Sequence, residues 1–140
     1  MTFSVGLGYA DATFDSYKDA GGIGIHFDGN RLEYAPKLDL SASILYERRI
    51  SEFGTALFSL DYSYADELFT DVANNPAFAI DSLGLLGGRL GFSSASEKFQ
   101  LFVWAKNLNK EIAIQGNSGS SGNVSYTQPR TYGVQLNYLF

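Results

Sequence analysis

Apolar and polar residues alternate with a period of two in six segments of the chain. The segments begin near residues 3, 37, 55, 82, 99 and 131. Successive side chains of a β-strand point to opposite faces of a sheet, so this spacing predicts six strands that each have one apolar and one polar face. The last segment has the most regular apolar set, which is Tyr132, Val134, Leu136, Tyr138 and Phe140.

The alternation also predicts which side chains share a face. The apolar face is expected to contain Phe3, Leu7, Leu40, Ile44, Phe58, Leu60, Leu101, Val134 and Leu136. The polar face is expected to contain Lys37, Asp39, Asp61, Arg89, Gln135 and Asn137. Arg89 decides the phase of the fourth strand, because a charged side chain on a lipid-exposed face costs about 2–4 kcal/mol. Leu45, Phe102 and Trp104 are apolar residues that fall on the polar side.

The connections between the segments alternate between long and short. Residues 18–36, 66–81 and 109–127 form long connections, and residues 50–54 and 93–98 form short ones. In an antiparallel meander, consecutive connections lie at opposite ends of the sheet, so the long ones share one end and the short ones share the other. Extended loops at one end and tight turns at the other are typical of outer-membrane barrels, whose long loops are external and whose short turns are periplasmic. Asn107 and Lys106 are expected to hold the base of the last long loop.

Composition agrees with strands and turns and excludes one class of partner. The chain has 11 Phe, 9 Tyr and 15 Gly, a formal net charge of −5 and a mean hydropathy of −0.07. No apolar run approaches the roughly 20 residues of a membrane helix. A barrel strand averages its lipid-facing and lumen-facing residues, so low hydropathy does not argue against a membrane barrel. The acidic balance argues against a nucleic-acid partner.

The sequence offers no catalytic, cofactor or metal site. His26 is the one histidine and there is no cysteine, so a zinc site or a Ser-His-Asp triad has too few members. The acidic residues of the first two long connections lack the spacing of a helical calcium loop. A phosphate-binding glycine loop between a strand and a helix is also missing. The chain is therefore predicted not to be an enzyme.

Several motifs resemble those of one family. The ending YGVQLNYLF resembles the C-terminal strand by which outer-membrane proteins are recognised by the barrel-assembly machinery. LFVWAKNLNKE (101–111) and QPRTYGVQLNYLF (128–140) resemble the last two strands of TonB-dependent outer-membrane receptors. GNRLEYAPKLDLSASILYER (29–48) and GRLGF (88–92) resemble earlier strands of the same barrels. These matches occur in the family's order along the chain.

The resemblance implies an all-β fold, in which an antiparallel meander of about six strands forms the C-terminal segment of a transmembrane β-barrel. The family's barrels have roughly 22 strands. Residues 1–140 would be one such segment, without the plug domain and the N-terminal strands. The implied location is the bacterial outer membrane. The implied activity is import of a scarce nutrient such as a siderophore–iron complex, a vitamin or an oligosaccharide.

The resemblance also implies partners. Lipid would surround the barrel, and a TonB-type protein would energise import through the missing plug region. The assembly machinery would read the C-terminal strand through Tyr132, Val134, Leu136, Tyr138 and Phe140. The sequence does not assign the residues that bind the nutrient.

Three alternatives remain open at this point. A passive porin-like barrel would share the alternation and the loop lengths. A soluble β-sandwich or lipocalin-like binding module would also alternate, since an antiparallel sheet can cover a core with one face. An outer-membrane barrel enzyme would need a nucleophile next to a base, and His26 is the one histidine that could act as that base.

Overall fold

The computed structural model describes residues 1–18, 24–50, 52–118 and 123–140, and most of them lie in strands. The strands are β1 (Thr2–Tyr9), β2 (Leu38–Ile50), β3 (Gly54–Ala65), β4 (Leu83–Ser94), β5 (Phe99–Lys106), β6 (Ile114–Ser118), β7 (Asn123–Tyr126) and β8 (Thr131–Tyr138). The helical structure of these residues consists of one 3₁₀ turn, Pro76–Phe78. Within the described ranges, no helix has the length and apolarity needed to cross a membrane.

Six strands form one antiparallel sheet in the order β1-β2-β3-β4-β5-β8. Every neighbouring pair in this sheet is antiparallel and follows chain order, apart from the insertion of β6 and β7. The predicted all-β meander of about six strands is therefore confirmed.

Residues 109–127, which the sequence predicts as a long connection, contain two strands that the alternation does not single out. Strands β6 and β7 pair there as a separate hairpin, with a register shift between Ile114 and Gly116. The two strands are short, and the glycine- and serine-rich run between them hides their alternation. Part of that run, residues 119–122, lies outside the described residues.

The long connections lie at one end of the sheet and the short connections at the other. We call the long ones L1 (10–37), L2 (66–82) and L3 (107–130), and their side the loop end. The opposite side, the turn end, has two short connections, because β2 extends to Ile50 and β4 to Ser94. Strand β8 ends at Tyr138, two residues earlier than predicted, although Leu139 N still donates to the carbonyl of Lys98 at 2.8 Å.

The strand register divides the sheet into the two faces that the alternation predicts. Cross-strand pairs such as Phe3↔Ile44, Leu60↔Gly88 and Val103↔Val134 lie on the first, which we call the apolar face. Pairs such as Ser43↔Asp61, Arg89↔Trp104 and Phe102↔Gln135 lie on the second, the polar face. The predicted phase of all six strands, including the less regular fourth and fifth, is confirmed.

The sheet is a single layer without a conventional core. Among the described residues, the buried hydrophobic side chains are Ile80 and Phe102. On the apolar face, Leu7 and Val134 are each 70% exposed and Leu90 is 60% exposed. Soluble monomers rarely expose an apolar surface this extensive, which makes the face a contact surface for something else.

Candidate functional site

The last strand, β8, is paired along one edge and open along the other. Its partner is β5, with Leu136 opposite Leu101 and Val134 opposite Val103. Phe140 lies beyond the strand and is fully exposed, and its ring meets that of Tyr138 edge-on with centroids 5.1 Å apart. The predicted set of five residues thus has four members within the strand and one just past its end.

Both margins of the sheet are free edges. Strand β1 pairs only with β2, and β8 only with β5, among the described strands. An open edge presents unpaired backbone N–H and C=O groups, which pair readily with another strand. In a hydrocarbon environment those groups must be paired, so in a membrane this sheet would need a further strand along each margin.

At the loop end, L1 and L2 are fastened to each other by reciprocal hydrogen bonds. The side-chain oxygen of Asn74 accepts from the backbone N–H of Arg31 at 2.6 Å, and its amide nitrogen donates to the carbonyl of Arg31 at 2.9 Å. Asn30 Nδ2 donates to the carbonyl of Val72 at 2.8 Å. Asn74 has a φ of 52°, in the left-handed region that asparagine tolerates better than most residues.

The Arg31 side chain adds a second link between the same loops. Its guanidinium donates to the carbonyl of Glu67 at 2.9 Å and lies 3.8 Å from the Glu67 carboxylate. It also sits 5.4 Å from the centroid of the Phe69 ring. The backbone N–H of Tyr34 donates to the carbonyl of Phe69 at 2.9 Å. L1 and L2 therefore form one hydrogen-bonded platform.

The base of L3 is held by the two buried polar residues of the described chain, Asn107 and Thr127, each 6% exposed. Asn107 Nδ2 donates to the carbonyls of Glu111 at 2.8 Å and Gln128 at 2.9 Å, and Asn107 Oδ1 accepts from Glu111 N at 2.8 Å. Thr127 Oγ1 donates to the Glu111 carbonyl at 3.1 Å. Asn107 thus holds the loop base as predicted. Lys106 does not, because its side chain lies beside Trp104 on the polar face.

Two aromatic rings, those of Phe102 and Trp104, lie on the polar face at the positions where the sequence alternation is irregular. Phe102 lies over Gly91, where an added Cβ would be 2.3 Å from its ring, and Trp104 lies over Gly133 in the same manner at 2.2 Å. The guanidinium of Arg89 stacks on Phe102, 3.7 Å from the ring centroid. The sequence contains a signal for this arrangement, since each ring stands beside a glycine on the neighbouring strand, but the pairing register is needed to recognise it.

One exposed ion pair perturbs the pKa values at the loop end. Lys37 Nζ lies 2.8 Å from Asp11 Oδ1. The hydrogen bond and the charge of Lys37 hold the pKa of Asp11 below its ordinary value, and the same pair raises the pKa of Lys37. In the described part of the chain, no three His, Cys, Asp or Glu side chains come together in a way that could hold a metal ion.

Comparison with known proteins identifies the fold. No protein-family model and no curated protein sequence matches the chain. The crystal structure of the ferric yersiniabactin uptake receptor FyuA from Yersinia pestis matches 80% of the chain with a TM-score of 0.70 and 20% identity. The structure of BauA, the ferric preacinetobactin receptor from Acinetobacter baumannii, matches 97% with a TM-score of 0.74 and 18% identity.

Both matched proteins are receptors, one for uptake of ferric yersiniabactin and the other for ferric preacinetobactin. The chain spans only 17% and 19% of their respective lengths. At this level of identity the likeness shows the fold, which is that of a fragment of a TonB-dependent receptor barrel. The resemblance found in the sequence motifs is therefore confirmed at the level of the fold.

Proposed function

We propose that this chain is part of the wall of a TonB-dependent receptor in the bacterial outer membrane, which imports a scarce nutrient of the siderophore–iron kind. The observation that carries the proposal is a single-layer sheet with an exposed apolar face and two open edges, in the fold of siderophore-receptor barrels. A soluble sandwich or lipocalin would cover that face with a second layer or close the sheet around a core.

In this proposal the apolar face contacts lipid, and the polar face lines the lumen. Further strands of the same barrel pair with β1 and β8, since closed membrane barrels need about eight strands or more. L1, L2 and L3 lie outside the cell, and the two short turns face the periplasm. A plug region and a TonB-type partner outside this segment supply the energy for import.

The transport part of the proposal is tested with the full-length protein in intact cells. Uptake of radioactive iron is measured from ferric complexes of catecholate, hydroxamate and carboxylate chelators. At least one complex is expected to be taken up, and collapse of the inner-membrane proton gradient should abolish that uptake. Uptake that persists without the gradient would instead indicate the passive porin-like barrel.

We also propose that the barrel-assembly machinery reads the apolar side of β8. An open edge with regularly spaced apolar residues is suited to strand addition. Phe140→Asp in the full-length protein should lower its amount in the outer membrane severalfold. Ile112→Asp is the matched control, because Ile112 is 78% exposed in L3 and the chemical change is similar. Equal amounts of the two variants would contradict the assembly role.

A further inference from the structure

A groove lies on the polar face, directly below the base of L3. It consists of two adjoining cavities of about 460 and 470 Å³ that share Asp61, Gly87 and Lys106. The cavity nearer the loops is also lined by Asn107, Gln115 and Gln128. The other is also lined by Arg89, Trp104 and Gln135.

The depth of the groove depends on glycine. A Cβ at Gly87 would lie 2.4 Å from a carboxylate oxygen of Asp61, so a side chain there would displace Asp61 and fill the floor. Gly133 allows the Trp104 indole to lie against the backbone of β8 rather than project across the cavity. The groove thus combines an open floor with an aromatic wall.

Two cations beside that wall have no carboxylate partner among the residues that the structure describes. Lys106 Nζ lies 5.6 Å from the centroid of the Trp104 ring and forms no ion pair there. Arg89 Nη2 donates to the amide oxygen of Gln135 at 3.2 Å, while Arg89 Nε is buried with no hydrogen-bond partner. The stack on Phe102 holds the guanidinium in place without satisfying its charge.

These features together define the chemistry of a ligand. Arginine pairs with carboxylates through two parallel hydrogen bonds, which at Arg89 would come from the two terminal nitrogens because Nε is buried, and lysine adds a mobile positive charge. An indole ring accepts a flat apolar body by stacking. Asp61, across Gly87 from the cations, repels a second anionic group and favours a neutral or cationic one at that position.

We propose that this groove binds the carboxylate of a small aromatic acid, with Arg89 and Lys106 on the carboxylate and Trp104 against the ring. The inference deepens the proposed function, on which its biological role rests: the imported molecule would carry such a group and contact this part of the wall inside the barrel. Trp104, Arg89 and Lys106 would then help to determine specificity.

The test measures binding of 2-naphthoate to the purified full-length protein in detergent by calorimetry. 2-Naphthylmethanol is the neutral counterpart of similar shape. The naphthoate is expected to bind about tenfold more tightly or better, since charge-assisted hydrogen bonds are the strong ones. Arg89→Gln and Lys106→Gln should each weaken naphthoate binding about tenfold, and Lys98→Gln, at the turn end, should leave it unchanged.

Equal affinity for the acid and the alcohol would overturn the proposal, as would naphthoate binding that neither substitution weakens. Absence of naphthoate binding to the unsubstituted protein would also overturn it, because the groove would then not accept an aromatic carboxylate. Binding needs no energised membrane, so failure of iron uptake with intact naphthoate binding would reject only the proposed transport function.

Discussion

The two faces of the sheet differ in what surrounds their side chains. On the apolar face, residues such as Leu7 and Val134 remain largely exposed. On the polar face, by contrast, side chains are bonded to each other. Gln135 accepts from Arg89 and donates to Asn137 at 3.1 Å, and Asn137 donates to Gln100 at 3.3 Å.

This difference shows which face depends on its environment. The polar face satisfies part of its own hydrogen-bonding capacity, so it tolerates water and needs only small adjustments to meet another polar surface. The apolar face has no packing partner among the described residues, and in the proposed barrel it is stabilised by contact with lipid. The difference between the faces can therefore be tested with substitutions that add a charge, add volume or remove hydrogen bonds at chosen positions.

The largest effect is expected from an arginine placed on either side of β3. Leu60 and Ser59 are consecutive, and their side chains lie on opposite faces. Leu60→Arg in the full-length protein should destabilise the folded state in lipid by about 2–4 kcal/mol, the cost of a cation near the bilayer midplane. Ser59→Arg should cost less, because its charge lies on the polar face, where the like charge of Arg89 on the neighbouring strand adds only a partly solvated repulsion. Urea unfolding in liposomes measures both variants, and equal losses would refute the assignment of the faces.

The next effect compares two glycines of the polar face, one beside an aromatic ring and one beside a small side chain. Gly91→Ala places a Cβ 2.3 Å from the Phe102 ring, so the ring must leave its position and the Arg89 stack is lost. The expected loss in unfolding free energy is about 1–3 kcal/mol.

Gly8→Ala is the matched control on the same face. Its new Cβ would lie 3.6 Å from that of Asp39, an ordinary contact. The control should change the unfolding free energy little. A loss as large as that of Gly91→Ala would show that close ring packing is not the reason for glycine at 91.

A smaller effect is expected at the base of L3. Asn107→Ala removes three hydrogen bonds from a buried position, but the loop can open to let water reach the freed groups. The loss should be about 1 kcal/mol, accompanied by faster amide exchange around Glu111. Asn109→Ala is the comparison variant, because Asn109 is exposed and, among the described residues, its side chain bonds to the backbone of Gly84 and Leu86. Unchanged exchange at Glu111 in Asn107→Ala would contradict the role assigned to Asn107.

The smallest effect concerns the Asp11–Lys37 ion pair and depends on pH. The lowered pKa of Asp11 means that its contribution is present above the ordinary value of 3.8 and is lost as pH falls through the folded-state value. The raised pKa of Lys37 means that the contribution persists below 10.5 and is lost as pH rises through the folded-state value. A nitroxide label at Ser16 should therefore become slightly more mobile at both extremes.

Asp11→Asn should remove both of those transitions in label mobility. Asp15→Asn should leave them intact, since Asp15 has no ion pair among the described residues. A label whose mobility is the same function of pH in all three proteins would show that the pair does not restrain L1. Surface pairs are weak, so the predicted change is modest.

Much of the sheet could be predicted because period-two alternation is a direct consequence of strand geometry. The phase of β4 followed from Arg89 alone, since only one face accepts a charge. The loop lengths likewise predicted which connections share an end of the sheet. The short hairpin β6–β7 was missed because a five-residue strand beside a glycine-rich run contains too few alternations to stand out.

The interactions between distant residues could not be predicted from the sequence. Asn74 and Arg31 are 43 residues apart, and nothing in the local sequence of either indicates their mutual hydrogen bonds. Phe102 and Trp104 looked like interruptions of the pattern until the register placed glycines beside them. The groove likewise unites residues of β3, β4, β5 and β8 with residues of L3, and only the folded chain shows that they meet.

The most direct test of the membrane-wall account is a cysteine scan along β3. These 140 residues contain no cysteine, so a single spin label can be placed at each position from 55 to 64 once any cysteine elsewhere in the full-length protein has been replaced by serine, and each labelled protein is then reconstituted in liposomes. Collision with oxygen, which concentrates in lipid, and with a water-soluble nickel chelate is then measured at each label. The account predicts that oxygen dominates at positions 56, 58, 60, 62 and 64 and nickel at the positions between. A uniform profile, or one with the opposite phase, would contradict it.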